Sequence, residues 1–298
     1  MERTEWTLGA DDAGRRLDRI LRRLLAENSY GAAMSALRKG LVRLNGKKAA
    51  ADCLTKEGDT LSVASFLLAQ QSAPASAPAA CPYPIVFQNE HLLFIDKPAG
   101  VPVHGQGSAA EFFASQKTAA LAFVPAPLHR LDKGTSGLLA VSKSLAGAQW
   151  FCAKIQSHEI KKFYWGIICG RLDREEEWND ELEIGGAKKA ARTIATPLKR
   201  SAIGGKEITL VQFQIFTGRK RQIRAQSAAR GRPILGDVRF GGFRAENEIL
   251  AGGEDKLSSG GFFLRSMRME FPPNDLGLPG AIEAPVPQDF LAFFDESR

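Results

Sequence analysis

The spacing of hydrophobic residues predicts two short helices near the N-terminus. Between Arg16 and Asn28, leucine and isoleucine recur at helical spacing and arginines crowd the remaining positions, which is typical of an amphipathic helix. A second helix is predicted over residues 30–39, because Ser29 suits its N-cap and Gly40 suits the position just after its end. Both helices therefore turn a basic surface to solvent.

A small β-ribbon is predicted to follow these helices. Residues 41–44 alternate like a strand, Asn45-Gly46 makes a tight turn, and Leu61 and Val63 predict another strand. Basic residues lie on the second helix and the ribbon: Arg38, Lys39, Arg43, Lys47 and Lys48. Residues 1–65 hold twelve Lys or Arg against nine Asp or Glu, so charge alone favours nucleic-acid contact and a solvated helix face equally.

An uncharged segment separates this unit from the rest of the chain. Residues 69–84 are rich in Ala and Pro and show neither helical nor strand periodicity, which predicts an extended linker. The alternative is a long surface loop inside one domain, but structureless loops of this length are uncommon in compact domains. We therefore predict an N-terminal unit over residues 1–68, here called the head, and a large unit over residues 85–298, here called the body.

Apolar runs in the body predict many strands and few helices. The predicted strands cover residues 85–87, 91–96, 138–141, 160–169, 207–216 and 262–271, and the predicted helix covers residues 145–157. Because the strands come in pairs and clusters, the pattern favours an α+β fold with a mixed, mainly antiparallel sheet over a regular βαβ array. Residues 245–260 are predicted to be a polar surface insertion.

Composition narrows the class of protein. The 298 residues are 44% hydrophobic and 24% charged, which excludes a mostly disordered chain, a collagen and a long coiled coil. No apolar run approaches the ~20 residues needed to cross a bilayer, and residues 1–6 carry acids where a secretory signal is apolar. The four cysteines lie far apart, which argues against a zinc site or a disulfide framework and fits the cytoplasm. The net charge of +7 is compatible with a polyanionic partner.

One segment carries the pattern of a reactive carboxylate. Residues 129–137 read HRLDKGTSG and lead into a predicted strand, with Asp132 lying between Arg130 and Lys133. Nearby cations stabilise the ionised form, so this carboxylate is available as a nucleophile or a base. The alternative is an aspartate that caps the loop through its own backbone, and short motifs alone match by chance too often to decide.

Two further segments stay open on their residues alone. Residues 217–244 have a net charge of +7, which suits phosphate contacts or a solvated basic helix, and Ile223 beside Arg224 is the only large apolar residue of the run 217–224. Tyr164 lies on a predicted strand among aromatic neighbours, which favours core packing. The alternation also places Tyr164 and Gly166 on one face, with room beside the glycine for a base.

The segment HRLDKGTSGLLAVSK, residues 129–143, closely resembles the signature of the RluA-type pseudouridine synthases, the ribosomal large-subunit branch of that superfamily. Supporting segments occur along the chain in the order expected for that family: FIDKPAGVPVH at 94–104, KKFY at 161–164, TGRKRQIR at 217–224 and PILGD at 233–237. The head resembles the S-four type RNA-binding domain over Gly14–Val63. The family usually has Thr-His and Val-His where this chain has Lys220-Arg221 and Ala225-Gln226.

The resemblance implies a role for individual residues. Asp132 matches the essential catalytic aspartate, Arg224 the arginine that pairs with it, and Tyr164 the active-site tyrosine that stacks on uracil. Arg130 would contact RNA or fill the gap left by the flipped nucleotide, and an ordinary ion pair is its alternative. His129 is either a loop-structuring residue or an RNA contact. The further RNA-binding residues that we predict are Arg219 and Arg221 in the body and Arg38, Lys39, Arg43 and Lys47 in the head.

The implied activity is the isomerisation of uridine in RNA. The bond between ribose and a uracil nitrogen breaks, the base rotates, and it rejoins through carbon-5, so the reaction requires neither cofactor nor metal. We expect a monomer that acts on large-subunit ribosomal RNA, with transfer RNA as the second choice. Two other classes remain: an RNA-binding ribosome-assembly factor without turnover, and a glycoside hydrolase, which would need a second carboxylate.

Overall fold

The structure of the protein, a computed structural model, describes residues 1–25, 29–68, 80–116, 118, 120–243 and 261–294. Most of the predicted linker and the predicted polar insertion at 245–260 lie outside the described residues. None of the described helices is long and apolar enough to span a membrane.

The head is built from a three-stranded antiparallel sheet and two helices. Its elements are β1 (Arg3–Thr7), α1 (Leu17–Leu24), α2 (Tyr30–Arg38), β2 (Val42–Leu44) and β3 (Thr60–Ala64), with short 3-10 turns at 10–12 and 65–67 and strand order β1-β3-β2. Ser29 caps α2 by accepting a hydrogen bond from the Ala32 N–H, as predicted. Asn45 and Gly46 form the predicted turn with positive φ angles. Strand β1 was not predicted, because Trp6 is its one large apolar residue.

The body is organised around one large sheet. Its elements are β4 (Ile85–Gln88), β5 (Leu92–Lys97), α3 (Ala109–Ala114), β6 (Ser136–Ser142), α4 (Leu145–Gln156), β7 (Lys161–Cys169), β8 (Glu176–Ile184), β9 (Ala187–Ile203), β10 (Lys206–Ile215), α5 (Gln222–Ala229), a 3-10 turn at 238–240, β11 (Leu264–Glu270), β12 (Ala281–Glu283) and α6 (Gln288–Leu291). The strand order is β4-β5-β6-β11-β7-β10-β9-β8, and β12 pairs with β11. Among the described strands only β6 and β11 run parallel, which confirms the predicted mixed, mainly antiparallel α+β fold.

The sheet is covered on both of its faces. In β5 the side chain of Phe94 packs with Leu138 and Phe151 on one face, while Ile95 packs with Leu139 on the other. All five side chains are essentially inaccessible to solvent. Since a strand buried on both faces reads as a continuous apolar run, the prediction of β5 and β6 from their sequences succeeded.

The β8–β9 hairpin was missed by the sequence reasoning. Its first strand is mostly charged, and Trp178 is the one residue of β8 that is buried. Gly185 and Gly186 form the turn between the strands with φ angles of 62° and 80°. Backbone pairing and the neighbour β10 therefore hold this hairpin, and neither leaves an apolar signature in the sequence.

The parallel pair β6–β11 fixes the segment around Asp132. At the start of β6, Gly137 has a φ angle of 100°, and a Cβ atom there would lie 2.1 Å from the carbonyl oxygen of Ser266 on β11. A side chain at position 137 would separate the two strands. The second glycine of the HRLDKGTSG segment, Gly137, is thus required because the backbones of β6 and β11 approach closely. This contact places the loop before β6 where β5, β6 and β11 meet.

The head is seated on the body through acidic side chains. The Asp12 carboxylate is buried and accepts hydrogen bonds from the backbone N–H groups of Leu121 (2.9 Å) and Ala122 (2.8 Å). Asp11 accepts a hydrogen bond of 2.7 Å from the N–H of Leu145, at the start of α4. Leu121 and Ala122 also pack against the apolar core of the head. The head therefore contacts the segment that runs directly into His129 and Asp132.

Removing the Asp12 carboxylate tests this junction. Asp12→Ala leaves two partly buried N–H groups without their charged acceptor, so we expect the free energy of unfolding to fall by about 2 kcal/mol. Asp52→Ala is the matched control, because Asp52 is exposed on the head and accepts no hydrogen bond from the described residues. Urea denaturation followed by tryptophan fluorescence measures both variants, and equal midpoints would show that the junction contributes nothing.

Candidate active site

A tight loop before β6 presents Asp132. The Thr135 N–H donates to the Asp132 carbonyl oxygen at 3.0 Å, and the Thr135 side chain is buried. A Cβ atom at Gly134 would lie 2.7 Å from the ring of Phe262, so that ring closes directly over the glycine. The small residues of the loop thus allow the close packing that fixes the direction of Asp132.

Lys97 contacts both this loop and the Lys-Pro turn at residues 97–98. Its side chain is fully buried, and its Nζ donates hydrogen bonds to the carbonyl oxygens of Pro98 (2.8 Å), Val101 (2.9 Å) and Lys133 (3.4 Å). Burial lowers the pKa of Lys97 to about 8, against the opposing attraction of Asp132 and Asp96. Lys97 therefore ties the Lys-Pro turn to the Asp132 loop, a role that the sequence analysis did not assign.

Arg224 lies between two carboxylates. Its Nη1 donates to Asp132 Oδ2 at 2.8 Å, while its Nε and Nη2 donate to the two oxygens of Asp237 at 2.6 and 2.9 Å. Burial alone would lower the pKa of Arg224, but the hydrogen bonds to Asp237 and Asp132 outweigh it and raise the pKa. The expected pairing of Arg224 with Asp132 is therefore present, and Asp237 is a third member that the sequence analysis did not name.

Aromatic rings enclose the guanidinium of Arg224. Its central carbon lies 4.2 Å from the centre of the Phe262 ring and 5.0 Å from that of Phe240. The negative faces of aromatic rings attract a cation, and the rings also exclude water. In such a dry setting the hydrogen bonds to Asp132 and Asp237 are stronger than they would be at the surface.

Helix α5, which carries Arg224, is anchored by a polar face. Gln222 Nε2 donates to Thr193 Oγ1 at 2.9 Å. Gln226 Oε1 accepts from Thr193 Oγ1 at 2.6 Å, and Gln226 Nε2 donates to Asp180 Oδ2 at 2.7 Å. Both amides are buried. This explains why no apolar stripe predicted the helix. The alternative of a solvated basic helix is wrong for Arg224, which is 6% exposed.

Two cavities meet at Asp132. The first, of about 260 Å³, has an apolar wall formed by Leu128, Ile155, Tyr164, Ile215, Ile223 and Leu264. The second, of about 440 Å³, lies against Pro102, Val103, His104 and Phe262. Asp132 is the one carboxylate among the described residues that line either cavity.

Besides Arg224, three cations, here called the cationic rim, border both cavities. They are Arg130, Lys220 and Arg221, and none forms an ion pair or a side-chain hydrogen bond with the described residues. The alternative of an ordinary ion pair for Arg130 is therefore not seen. Arg221 adopts a left-handed backbone conformation, with a φ angle of 59°, immediately before α5. Such a conformation is strained for a side chain of this kind.

Tyr164 packs in the core and also lines the first cavity. It is 7% exposed, and burial raises the pKa of its hydroxyl to about 12, with the negative charge of Asp132 acting in the same direction. The expected space beside Gly166 is absent, because a Cβ atom there would lie 2.9 Å from Phe213 and 3.2 Å from Leu264. That prediction was wrong, because Phe213 and Leu264 of the core fill the space beside Gly166. The open space at this site is instead the first cavity, which Tyr164 lines.

His129 structures the loop. Its Nε2 accepts a hydrogen bond of 3.0 Å from the Ala140 N–H, and its ring stacks on Phe151. Burial, together with the nearby charge of Lys162, lowers the pKa of His129 to about 3, so the ring is neutral. Of the two roles expected for His129, the structure displays the loop-structuring one, and RNA contact stays a prediction.

The first cavity brings most of the expected site residues together. Its lining includes His129, Arg130, Asp132, Tyr164, Arg219, Arg221 and Arg224. Arg38, Lys39, Arg43 and Lys47 are instead exposed on the head. The sequence analysis missed Lys97, Lys162 and Asp237 as site residues, although each lies in a segment quoted for the resemblance. Within the described ranges, no three His, Cys, Asp or Glu side chains form a group that could hold a metal ion.

Known proteins resemble this chain in sequence and in fold. A family profile described as RNA pseudouridylate synthase matches residues 91–229. The chain is 31% identical over 281 residues to the ribosomal large subunit pseudouridine synthase C of Vibrio cholerae, covering 88% of this chain and 86% of that protein. It is 27% identical over 298 residues to the protein of the same name from Escherichia coli (strain K12), covering 93% and 91%. The solved structure of human RNA Pseudouridylate Synthase Domain Containing 1 shares the fold, with a TM-score of 0.55, 20% identity, and coverage of 75% of this chain and 89% of that chain.

Asp237 offers a test of the buried ion network. Asp237→Asn removes one of the two charges that compensate Arg224, so we expect the free energy of unfolding to fall by about 3 kcal/mol. Asp173→Asn is the control, because Asp173 pairs with Arg171 and Arg200 at the exposed surface and its loss should leave the midpoint nearly unchanged. Urea denaturation compares the two, and equal stability would show that Asp132 alone balances Arg224.

Proposed function

Because this chain belongs to the RNA pseudouridylate synthase family, and is therefore an isomerase that acts on RNA, we propose that it converts uridines of large-subunit ribosomal RNA to pseudouridine. The observation that carries the proposal is a single accessible carboxylate, Asp132, held by Arg224 where two cavities meet. The names of the relatives from Vibrio cholerae and Escherichia coli support ribosomal RNA as the substrate. Transfer RNA is the second choice.

Asp132 acts on the ribose of the target nucleotide. The Oδ2 atom of Asp132 accepts a hydrogen bond from Arg224. The Oδ1 atom of Asp132 accepts no hydrogen bond from the described residues and is left for the substrate. An oriented carboxylate of this kind either attacks the anomeric carbon or removes a neighbouring ribose proton. In both cases the glycosidic bond breaks and the ribose is held in place while the base turns.

The first cavity receives the uracil. Its wall of aliphatic side chains and Tyr164 suits a flat base, and a phenol whose pKa is about 12 stays neutral during the reaction. A target uridine in a folded RNA must leave its stack to reach this depth. The cationic rim binds the phosphates on either side of that nucleotide.

The head adds a second RNA contact. Arg38, Lys39, Arg43 and Lys47 are exposed there, and the S-four type resemblance supports RNA binding by this unit. Because Asp11 and Asp12 seat the head on the body, both units contact one RNA as neighbouring surfaces. We propose a monomer as the active form.

The carboxylates of the site argue against glycoside hydrolysis. Such enzymes usually work with two carboxylates on either side of the scissile bond. The second carboxylate of this site, Asp237, is 2% exposed and gives both oxygens to Arg224. Its burial behind Arg224 therefore keeps it away from a substrate sugar.

Replacing Asp132 tests the proposed activity. Asp132→Asn keeps the shape of the side chain and removes its charge, so tritium release from ribosomal RNA labelled at carbon-5 of uridine should fall by more than about 10³-fold. Asp173→Asn, an equal change at an exposed site, should leave the rate unchanged. Filter binding should show RNA affinity preserved in both variants.

The product separates the alternatives. We expect a nucleoside of unchanged mass and no free uracil, whereas free uracil would indicate hydrolysis. Equal tritium release from the wild type and Asp132→Asn would overturn the catalytic assignment and favour an RNA-binding assembly factor.

The contribution of the head is tested within the full chain. Arg43→Ala with Lys47→Ala should weaken binding to ribosomal RNA and lower the slope of log K against log salt by about one to two, since two phosphate contacts are lost. The turnover rate at saturating RNA should not change. Lys188→Ala with Lys189→Ala removes two charges from the exposed tip of the β8–β9 hairpin and is the control. Equal losses in both double variants would argue against a specific RNA surface on the head.

A further inference from the structure

A buried lysine in the first cavity has no hydrogen-bond or ion-pair partner among the described residues. Lys162 lies on β7, two residues before Tyr164 and on the same face, and it is 8% exposed. No described residue accepts a hydrogen bond from its ammonium or forms an ion pair with it. Its side chain lines the cavity, close enough to Gly218 that a Cβ atom there would lie 3.8 Å from its Nζ.

Among the described residues, none supplies Lys162 with a carboxylate of its own. Its partners in register are Ile215 on β10 and Met269 on β11. His129 is neutral, and Asp132, the one carboxylate of the lining, is engaged by Arg224. Burial lowers the pKa of Lys162, as expected for an ammonium without a compensating acceptor. An arrangement so unfavourable in the free protein indicates that the acceptor arrives with the substrate.

We propose that the ammonium of Lys162 binds a carbonyl oxygen of the extruded uracil and stabilises the negative charge that the base carries while it is detached from the ribose. This inference rests on the proposed function. A lysine ammonium only donates hydrogen bonds, so it is complementary to the O2 and O4 oxygens of uracil. The exocyclic amino group of cytosine, itself a donor, would face it unfavourably at the O4 position.

Charge accounting during the reaction explains why a cation is needed inside the cavity. When the C1′–N1 bond breaks, its electron pair leaves with uracil, and the charge spreads onto O2 and O4. When C5 bonds to C1′, an electron pair of the base forms the new bond. The proton on C5 then passes to water and N1 takes up a proton from water, so the product is an uncharged isomer of uridine. A donor held against the base throughout this interval acts in a water-poor site, where such stabilisation is largest.

The apolar wall favours a base over a phosphate as the partner of Lys162. Ile155, Ile215 and Leu264 surround the same cavity, and these side chains suit the face of a pyrimidine. Phosphates are better matched by the cationic rim, where Arg130 and Lys220 are exposed. The two assignments differ in salt dependence, because a phosphate contact contributes about one unit to the salt slope and a base contact contributes none.

The decisive comparison is Lys162→Met against Lys161→Met. Lys161 is the adjacent residue of β7, but it is exposed and pairs with Glu270. With ribosomal RNA tritiated at carbon-5 of uridine, the single-turnover rate at saturating enzyme should fall about 100-fold or more for Lys162→Met. It should change less than about twofold for Lys161→Met, since exposed pairs contribute little. Lys162→Gln should recover part of the rate, because its amide still donates a hydrogen bond.

Stability and salt dependence separate this role from a structural one. Methionine removes a buried unpaired charge, so Lys162→Met should melt at the same temperature as the wild type or higher while it loses rate. The salt slope of RNA binding should stay unchanged. A rate within about threefold of wild type, a joint loss of rate and melting temperature, or a salt slope lowered by about one would each overturn the inference. If the wild-type chain itself released no tritium, the proposed function would fail instead.

Discussion

The buried hydrogen bonds of Arg224 to Asp132 and Asp237 are the interaction on which the rest of the site depends. A guanidinium and two carboxylates are expensive to remove from water, and they become tolerable only when their geometry is complete. Both carboxylate oxygens of Asp237 accept hydrogen bonds from Arg224, at Nε and Nη2. One oxygen of Asp132 accepts a hydrogen bond from the third nitrogen, Nη1. The three side chains come from three separate segments of the chain. Burial of Arg224 with its hydrogen bonds complete therefore brings Asp132 to its position beside the two cavities.

Much of the surrounding structure limits how those three segments move. Gln226 and Thr193 fix α5 to the hairpin, and Ile223 packs in the core, so the helix that carries Arg224 is held by polar and apolar contacts together. Lys97 fixes the loop of Asp132 to the Lys-Pro turn, and Gly137 permits the backbone contact from which that loop departs. These contacts are buried and hydrogen-bonded, which makes them rigid and specific. The result is a preformed carboxylate with one oxygen fixed and one oxygen free.

Sequence reasoning succeeded where periodicity reflects burial and was incomplete where polar groups are buried. The strands of the central sheet followed from their apolar runs, and the ribbon of the head followed from its turn residues. Helix α5 gave no such signal, because Gln222 and Gln226 on its inner face look like surface residues. Asp237 and Lys162 were missed for the same reason, since charged side chains are almost always exposed and only tertiary structure reveals an exception. Departures from local rules of this kind concentrate at functional sites.

The positive charges around the two cavities divide into two physical classes. Arg130, Lys220 and Arg221 lie toward solvent, where ions screen them within about 10 Å, so they contribute to affinity in a salt-dependent way. Lys162 lies inside, where the effective dielectric is lower and screening by salt is weaker. A cation of the first class attracts every phosphate of an RNA equally. In the role proposed for Lys162, a cation of the second class interacts with a base that has already been extruded, and it therefore couples recognition of uracil to the step that breaks the glycosidic bond.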